Sequence, residues 1–253
     1  MAFRANISLL VFTSLLFSLC SALSPNYYDQ TCPSAEMVIT NAVKKAMMND
    51  KTVPAALLRM HFHDCFIRSG GPSWEVPKGR KDGRVSKASE TKQLPAPTFN
   101  ISQLQQSFSQ RGLSLHDLVA LSGGHTLGFS HCSSFQNRIH NFDAKHDVDP
   151  SMRPSFAASL RNVCPVHNKV KNAGATLDSS TASFDNMYYK LLVQGKSLFS
   201  SDQALLSEGK TKGLVSRFAS SKEEFESAFV KSMIKMSSIT GGQEVRLNCR
   251  VVN

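Results

Sequence analysis

The sequence is poor in the features that mark several large classes of protein. It contains no internal repeat and no low-complexity tract, so a repeat architecture is not indicated. Segments with strand-like alternation are scarce, whereas apolar residues at helical spacing are frequent. The hydrophobic fraction is 41% and the charged fraction is 19%, which is ordinary for a globular protein and does not indicate disorder. We therefore expect a mainly α-helical protein.

A long apolar run occurs at the N-terminus. Arg4 precedes the stretch ISLLVFTSLLFSL, and small residues follow it as far as Ala22. The run is shorter than the ~20 residues of a transmembrane helix, and its order is that of a secretory signal peptide. An uncleaved anchor is the alternative. We expect residues 1–22 to be a signal peptide and residues 23–253 to be secreted into an oxidising, extracellular environment. We expect no membrane partner.

Acidic residues are outnumbered by basic ones, 19 against 29, which gives a net charge of +10. Nucleic-acid binding is one interpretation of such a charge. The basic residues are scattered, however, and no nucleic-acid-binding motif is present. We favour contact with an anionic surface such as acidic polysaccharide.

Helix signals recur along most of the chain. Ser114 caps a periodic segment that stops at Gly123 and Gly124, and Pro54 lies where the start of a helix tolerates it. The predicted helices are 34–49, 53–66, 101–110, 114–122, 151–162, 185–194 and 222–238.

Residues 69–97 interrupt this pattern, because they are rich in Gly, Pro, Lys and Ser. They predict a long loop, which either joins two domains or forms a surface arm of a single helical domain. Just beyond it, Asn100 begins an Asn-Ile-Ser sequon and is a candidate for N-glycosylation.

Arg59 and His63 are four residues apart on a predicted helix and share one face. A guanidinium and an imidazole in one pocket suit a reaction that moves a proton and develops negative charge. His61 and His63 form an H-x-H pair, but on a helix the two do not converge on a zinc ion. The alternative is that Arg59, His61 and His63 are ordinary residues on the surface of a helix.

His125 follows two glycines at a helix end, where it is either a metal ligand or a histidine that interacts with the helix dipole. Thr126, Asp178, Thr181 and Asp185 carry oxygen ligands suited to a hard cation such as calcium. They are equally ordinary turn residues.

The order of motifs decides between these alternatives. RMHFHDCF, DLVALSGGHTLG, FDNMYYK, LFSSDQALL and VRLNC follow one another, with GRKDGR and LPAPT between the first two. Together they resemble the secreted plant haem peroxidases of class III from about Leu23 to Asn253. The resemblance implies the haem-peroxidase fold, with two helical subdomains around haem b. It also implies a monomeric enzyme that reduces hydrogen peroxide while oxidising phenolic donors in one-electron steps.

The resemblance assigns roles to five residues. His125 would be the axial ligand of the haem iron, and Asp202 would accept a hydrogen bond from its other ring nitrogen, which makes the imidazole a stronger donor. His63 would act as the acid–base on hydrogen peroxide, and Arg59 would stabilise the charge that develops. Phe62 would pack beside the haem.

Further positions match the family outside this group. Pro95 matches a residue at the entrance for the reducing substrate. Cys132 and Cys164 match a disulfide pair. The proximal calcium ligands would be Thr126, Asp178, Thr181 and Asp185, among which Thr181 matches least well because the segment is one residue short.

The chain departs from the family between Arg68 and Ser69, where a block of several tens of residues is missing. Asp64 is the remnant of a distal calcium site that we expect to be lost, because one carboxylate cannot supply six to eight oxygens. The distal subdomain, residues 23–68, is thus truncated, residues 69–97 form the arm, and residues 98–253 are mostly the proximal part.

The missing block also removes an Asn that would orient the distal histidine, together with the partners of Cys32, Cys65 and Cys249. The alternative to an active peroxidase is therefore a catalytically impaired or non-catalytic relative, produced by a variant transcript or gene model. Such a chain would bind haem or wall polysaccharide without turnover. A chain that does not fold stably is the third hypothesis.

Overall fold

The computed structural model describes residues 23–50, 53, 71–85, 87–89, 94–167, 172–180, 183–239, 242–248 and 251–253. These residues are mainly α-helical, as expected from the sequence. Their α-helices are α1 (Ala35–Asn49), α2 (Ile101–Ser109), α3 (Leu115–Ser122), α4 (Gln136–Ile139), α5 (Pro154–Val163), α6 (Met187–Val193), α7 (Ser200–Gln203), α8 (Gly209–Ser220) and α9 (Lys222–Ser237). Two short strands, β1 (Phe129–His131) and β2 (Gly174–Thr176), pair antiparallel.

Side-chain caps set the starts of α2 and α3. Asn100 accepts a hydrogen bond from the Gln103 amide, and Ser114 accepts one from the Asp117 amide; in both cases the third helical residue binds back to the cap. Such reciprocal capping boxes satisfy two otherwise unpaired donors at the start of a helix. The predicted starts of these helices are confirmed to within one residue.

Three helices of the structure were not predicted: α4, α7 and α8. The first two have only four residues each, too few to show a period. Helix α8 contains two glycines and several charged residues, which weaken its signal although Val215 and Phe218 are fully buried. The predicted helix 53–66 lies outside the described residues except for Val53.

The main core lies between α3, α6, α8 and α9. Phe184 stacks on Phe225 with ring centroids 5.2 Å apart, and the ring of Phe229 packs against both, at 4.8 and 5.7 Å. The Tyr189 ring meets Phe225 edge-on. Aromatic pairs of this kind contribute energy beyond the area they bury. The apolar stripe predicted on the last helix is therefore a core face, and it fixes the end of α3.

A second cluster lies beside the two strands and α5. A disulfide joins Cys132 to Cys164 at the end of α5, with the Cα atoms 5.6 Å apart, as the resemblance implied. The Cys132 amide also donates to the Ala173 carbonyl. These two links attach the segment that follows His125 to the end of α5 and to the residue that precedes β2.

The arm contacts both ends of the described chain. Lys78 bridges to Ser24, and Asp82 bridges to Glu244. The guanidinium of Arg84 donates to the Glu244 carboxylate at 2.8 Å. Farther along, the Pro97 carbonyl accepts a hydrogen bond from the Ser201 amide of α7. The LPAP end of the arm is thus bound to the helix that carries Asp202.

Helix α1 has no buried residue, and Met37, Val38 and Met48 are exposed on it. Within the described part of the chain, no helix is both long and apolar enough to cross a membrane.

Asp117 links α3 to α9. Its carboxylate accepts hydrogen bonds from the Lys235 ammonium at 2.5 Å, the Ser232 hydroxyl at 2.9 Å and the Ser114 hydroxyl at 2.7 Å. Burial opposes ionisation of Asp117, but the bonds from Lys235, Ser114 and Ser232 outweigh it and lower its pKa from 3.8 to about 2. The ionised carboxylate is therefore favoured by the folded state.

We expect Asp117→Asn to lower the free energy of unfolding by about 2 kcal/mol at pH 7, since one pKa unit corresponds to about 1.4 kcal/mol. Because the folded pKa is depressed, this contribution is present above the ordinary pKa of Asp and is lost as the pH falls toward 2. Urea unfolding between pH 7 and pH 3 measures it, with Asp29→Asn, at an exposed position, as the control. A difference between parent and variant that does not shrink on acidification would contradict this assignment.

Candidate active site

His125 lies in a tight turn, Gly123–Thr126, directly after α3. The turn packs closely on the core, because a Cβ atom at Gly123 would lie 2.3 Å from the Phe225 ring and 2.5 Å from the Tyr189 hydroxyl. Only glycine allows this approach. The glycine pair before His125 thus sets the end of α3 against the core and directs the backbone that presents the imidazole.

The imidazole of His125 is held by a buried carboxylate. Its Nδ1 lies 2.8 Å from Oδ1 of Asp202 on α7, and the two side chains are 40% and 5% exposed. With a carboxylate as partner, Nδ1 carries the proton and donates, so Nε2 is the nitrogen suited to a metal. The rings of Tyr188 and Phe199 lie edge-on to the imidazole, at 6.0 and 5.3 Å between centroids.

Tyr188 is also bonded to the same carboxylate. Its hydroxyl donates to Oδ1 of Asp202 at 2.9 Å. Burial raises the pKa of Tyr188 well above its ordinary value, and the charge of Asp202 raises it further. The phenol therefore stays protonated and remains a donor.

The segment before Asp202 is anchored by Arg138, which is fully buried. Its guanidinium donates to the Asp149 carboxylate at 2.8 Å, to the Ser197 carbonyl at 2.6 Å and to the Phe199 carbonyl at 3.1 Å. A buried arginine holds its partners in a fixed geometry, because losing the carboxylate would leave the charge uncompensated and losing a carbonyl would leave an N–H donor unsatisfied. Arg138 thus holds both Phe199 and the start of α7 in place.

Oxygen-bearing side chains converge next to His125. The hydroxyl of Thr126 donates to Asp178 at 2.6 Å, and the hydroxyl of Ser180 donates to Asp185 at 3.0 Å. Burial raises the pKa of Asp178, with the nearby charge of Asp185 adding to the rise and hydrogen bonds from Thr126 and Ser180 opposing it. Among the described residues, no group of three or more His, Cys, Asp or Glu side chains is arranged for a metal. A cation at this cluster would depend on hydroxyl and carbonyl oxygens for most of its ligands.

The structure places some of the predicted site residues and leaves others undescribed. It brings together His125 with Asp202, and Thr126 with Asp178 and Asp185. Pro95 is exposed in the LPAP loop. The residues that lie outside the described part are Arg59, Phe62, His63, Asp64, Cys65, Thr181 and Cys249.

The sequence analysis missed three residues of this site: Ser180, Tyr188 and Arg138. Ser180 stands two residues after Asp178, where an Asp side chain commonly accepts a hydrogen bond from the backbone amide, as it does here at 2.8 Å. Tyr188 belongs to the FDNMYYK motif that contributes to the family resemblance, but the sequence analysis gave this residue no role. No local signal marks Arg138, because its partners are distant in the chain.

In haem and other metal proteins a carboxylate commonly orients the histidine that binds the metal, and His125 with Asp202 has this arrangement. Comparison with known families makes this specific. The family model described as Peroxidase matches residues 67–221. The chain belongs to the peroxidase family: it is a plant peroxidase with a mainly α haem-peroxidase fold, and therefore an oxidoreductase.

The chain is similar to several curated plant proteins over most of its length. Peroxidase 64 of Arabidopsis thaliana is 58% identical over 295 residues, which cover 91% of this chain and 93% of that protein. Peroxidase 66 of the same species is 44% identical over 301 residues, covering 92% and 93%. Peroxidase 1 of Oryza sativa subsp. japonica is 34% identical over 322 residues, covering 99% of each. Each alignment exceeds the 253 residues of this chain, so each includes positions with no counterpart here.

Proposed function

We propose that this peroxidase is a secreted enzyme that reduces hydrogen peroxide while oxidising phenolic donors in one-electron steps, with His125 as the axial haem ligand. The observation that carries the proposal is the hydrogen bond between His125 Nδ1 and the buried Asp202 carboxylate. Family membership implies haem, hydrogen peroxide and a reducing donor. The phenolic nature of the donor rests on the resemblance of the motifs.

The donor set around His125 fits haem. The imidazole is partly exposed, its tautomer is fixed by a carboxylate and aromatic rings flank it. When bound, haem supplies the redox-active iron for the reaction with peroxide and the donor. His125 would hold it through Nε2, and Asp202 would orient the imidazole and raise its basicity.

The proton transfers are assigned to the distal helix. His63 would take a proton from hydrogen peroxide and return it to the leaving oxygen, a role worth roughly 10²- to 10⁴-fold in rate. Arg59 would stabilise the negative charge that develops as the peroxide bond breaks. Phe62 would pack beside the haem, and Pro95 would border the entrance of the donor.

The cluster beside His125 fits a calcium ion. Carboxylate and hydroxyl oxygens are the ligands that calcium prefers, and Thr126, Asp178, Ser180 and Asp185 supply them. Ser180 joins the proposed ligands because its hydroxyl meets both carboxylates. Thr181 remains in the proposed set, whereas the distal site around Asp64 is proposed to be lost.

We expect calcium to stabilise the protein by about 3 kcal/mol at a hundredfold excess over its dissociation constant. EGTA should therefore lower the melting temperature. Asp185→Ala should abolish the effect and Ser180→Ala should weaken calcium binding, whereas Ser183→Ala, an exposed neighbour in the same loop, should leave it unchanged. Calcium titration calorimetry measures each affinity. Equal affinity in the Ser180 and Ser183 variants would remove Ser180 from the ligand set.

The missing block between Arg68 and Ser69 is part of the proposal. Alignments longer than the chain itself support it, and the family match begins at residue 67, beside the junction. The proposed division of the chain is unchanged: a truncated distal part (23–68), an arm (69–97) and a mostly proximal part (98–253).

Secretion after removal of residues 1–22 also remains a proposal, with the cell wall or the vacuole as destinations. A net charge of +10 supports contact with anionic wall polysaccharide. Asn100 caps α2 through its side-chain oxygen and is exposed, so its amide nitrogen can carry a glycan. The enzyme is proposed to act as a monomer.

A second candidate is a relative that binds haem without efficient turnover. The exposed apolar surface of α1 and the exposed thiol of Cys32 favour it, because both are expected where a packing and disulfide partner is absent. The two candidates predict the same proximal site. They differ in whether the distal residues catalyse the reaction with hydrogen peroxide.

Haem titration of the full chain, read at the Soret band, followed by peroxide and a phenol, separates the candidates. An active enzyme binds one haem per chain and oxidises the phenol, and His63→Ala keeps the haem but loses roughly 10²- to 10⁴-fold in rate. A parent whose turnover equals that of His63→Ala supports the non-catalytic relative. A chain that binds no haem overturns the proposed function.

A further inference from the structure

Two donors converge on one oxygen of Asp202. Oδ1 accepts a hydrogen bond from His125 Nδ1 at 2.8 Å and from the Tyr188 hydroxyl at 2.9 Å. Asp202 is buried, so these bonds are only weakly screened by solvent and are electrostatically stronger than they would be in water. Whatever changes one of them must change the other.

We propose that Tyr188 is a positioning residue for the axial ligand. Its hydrogen bond to Asp202 limits the negative charge that this carboxylate presents to His125. The inference rests on the proposed function of His125. A carboxylate that accepts a second hydrogen bond is a weaker acceptor for the first, because the donated proton of Tyr188 withdraws charge from the shared oxygen. The imidazole then has less imidazolate character and is a weaker donor to iron.

The packing fixes this arrangement. Tyr188 lies on α6 and is buried, with its ring edge-on to the imidazole of His125 and to the ring of Tyr189 at 4.9 Å. A buried aromatic side chain has few alternative rotamers, so its hydroxyl is directed at Asp202 without further ordering. The hydroxyl therefore acts at a fixed position.

The chain offers a matched control in the next residue. Tyr189 is equally buried, but its hydroxyl donates to the carbonyls of Val119 and Ala120, at 2.7 and 3.3 Å, and not to Asp202. Replacing either tyrosine by Phe removes one buried hydroxyl together with its hydrogen bonds. Only the change at Tyr188 removes a bond to the carboxylate that orients His125.

The test compares Tyr188→Phe with Tyr189→Phe in the full chain. In the haem-bound protein, Tyr188→Phe should shift the ferric–ferrous equilibrium three- to tenfold toward ferric haem, which is about 30 to 60 mV at 59 mV per decade. The iron–histidine stretching frequency should rise with it. Tyr189→Phe should change neither. Site-specific difluorotyrosine at position 188 keeps the ring and makes the hydroxyl a stronger hydrogen-bond donor, so it should shift the equilibrium toward ferrous haem. This variant replaces Tyr188→Phe if Tyr188→Phe does not fold.

A haem-free measurement separates this inference from the proposed function. The Nδ1 proton resonance of His125 should move downfield in Tyr188→Phe and stay in place in Tyr189→Phe, because this proton lies in the hydrogen bond to Asp202. If the parent chain binds no haem, the proposed function fails while this resonance still decides the role of Tyr188. An unchanged resonance, or equal changes in both variants, overturns the inference.

Discussion

Replacing His125 by Ala should abolish axial ligation and reduce peroxidase turnover by at least a hundredfold. Loss of an outer partner of a metal ligand alone costs 10- to 100-fold in metal affinity or activity, and here the proposed ligand itself is removed. The Asp202 carboxylate would also lose a hydrogen-bond partner in a buried position, which costs further free energy. The measurement is the Soret spectrum with added haem, followed by the rate of phenol oxidation.

The matched control is His131→Ala, an exposed histidine in the nearby strand β1. It should keep the spectrum and the rate of the parent. Exogenous imidazole should partly restore the spectrum of His125→Gly, since the space and the carboxylate are retained. A His125→Ala spectrum identical to that of the parent would show that another residue binds the iron.

The sequence predicted residues better where a local pattern existed. The helix starts at Asn100 and Ser114 follow from capping chemistry within three residues, and both were predicted closely. Helix α8 was missed because Gly209 and Gly213 lower its propensity, while the burial that stabilises it comes from α3, α6 and α9. Tertiary packing decides that helix, and a single sequence does not display it.

The candidate site divides in the same way. The pairing of His125 with Asp202 was expected only because of a family resemblance, since the two stand 77 residues apart and no spacing rule joins them. Ser180 and Tyr188 were missed because the role of a hydroxyl depends on its hydrogen-bond partner in the folded protein, which the sequence does not show. Arg138 shows the limit most clearly: its partners are Asp149 in one segment and Ser197 and Phe199 in another, and the two segments converge only in the folded chain.

Removing the disulfide with Cys132→Ser and Cys164→Ser should lower the free energy of unfolding by about 3 to 4 kcal/mol. The cysteines are 32 residues apart, and a loop of this size loses that much conformational freedom in the unfolded chain in the loop-entropy model. Both side chains are buried in the second cluster, so the serines would also bring polar groups into an apolar site. A domain has a total stability of only about 5 to 15 kcal/mol, so the change removes a large share.

Urea unfolding of the parent and the double variant measures the difference, and Cys32→Ser is the matched control because that thiol is exposed and free. The control should unfold like the parent, and a reductant should bring the parent to the level of the double variant without moving the double variant itself. The disulfide fixes the segment that follows His125 and Thr126, so the double variant should also bind haem and calcium less tightly. Equal stability of the parent and the double variant would mean that the strand pair and its hydrogen bond to Ala173 hold the segment without the covalent bond.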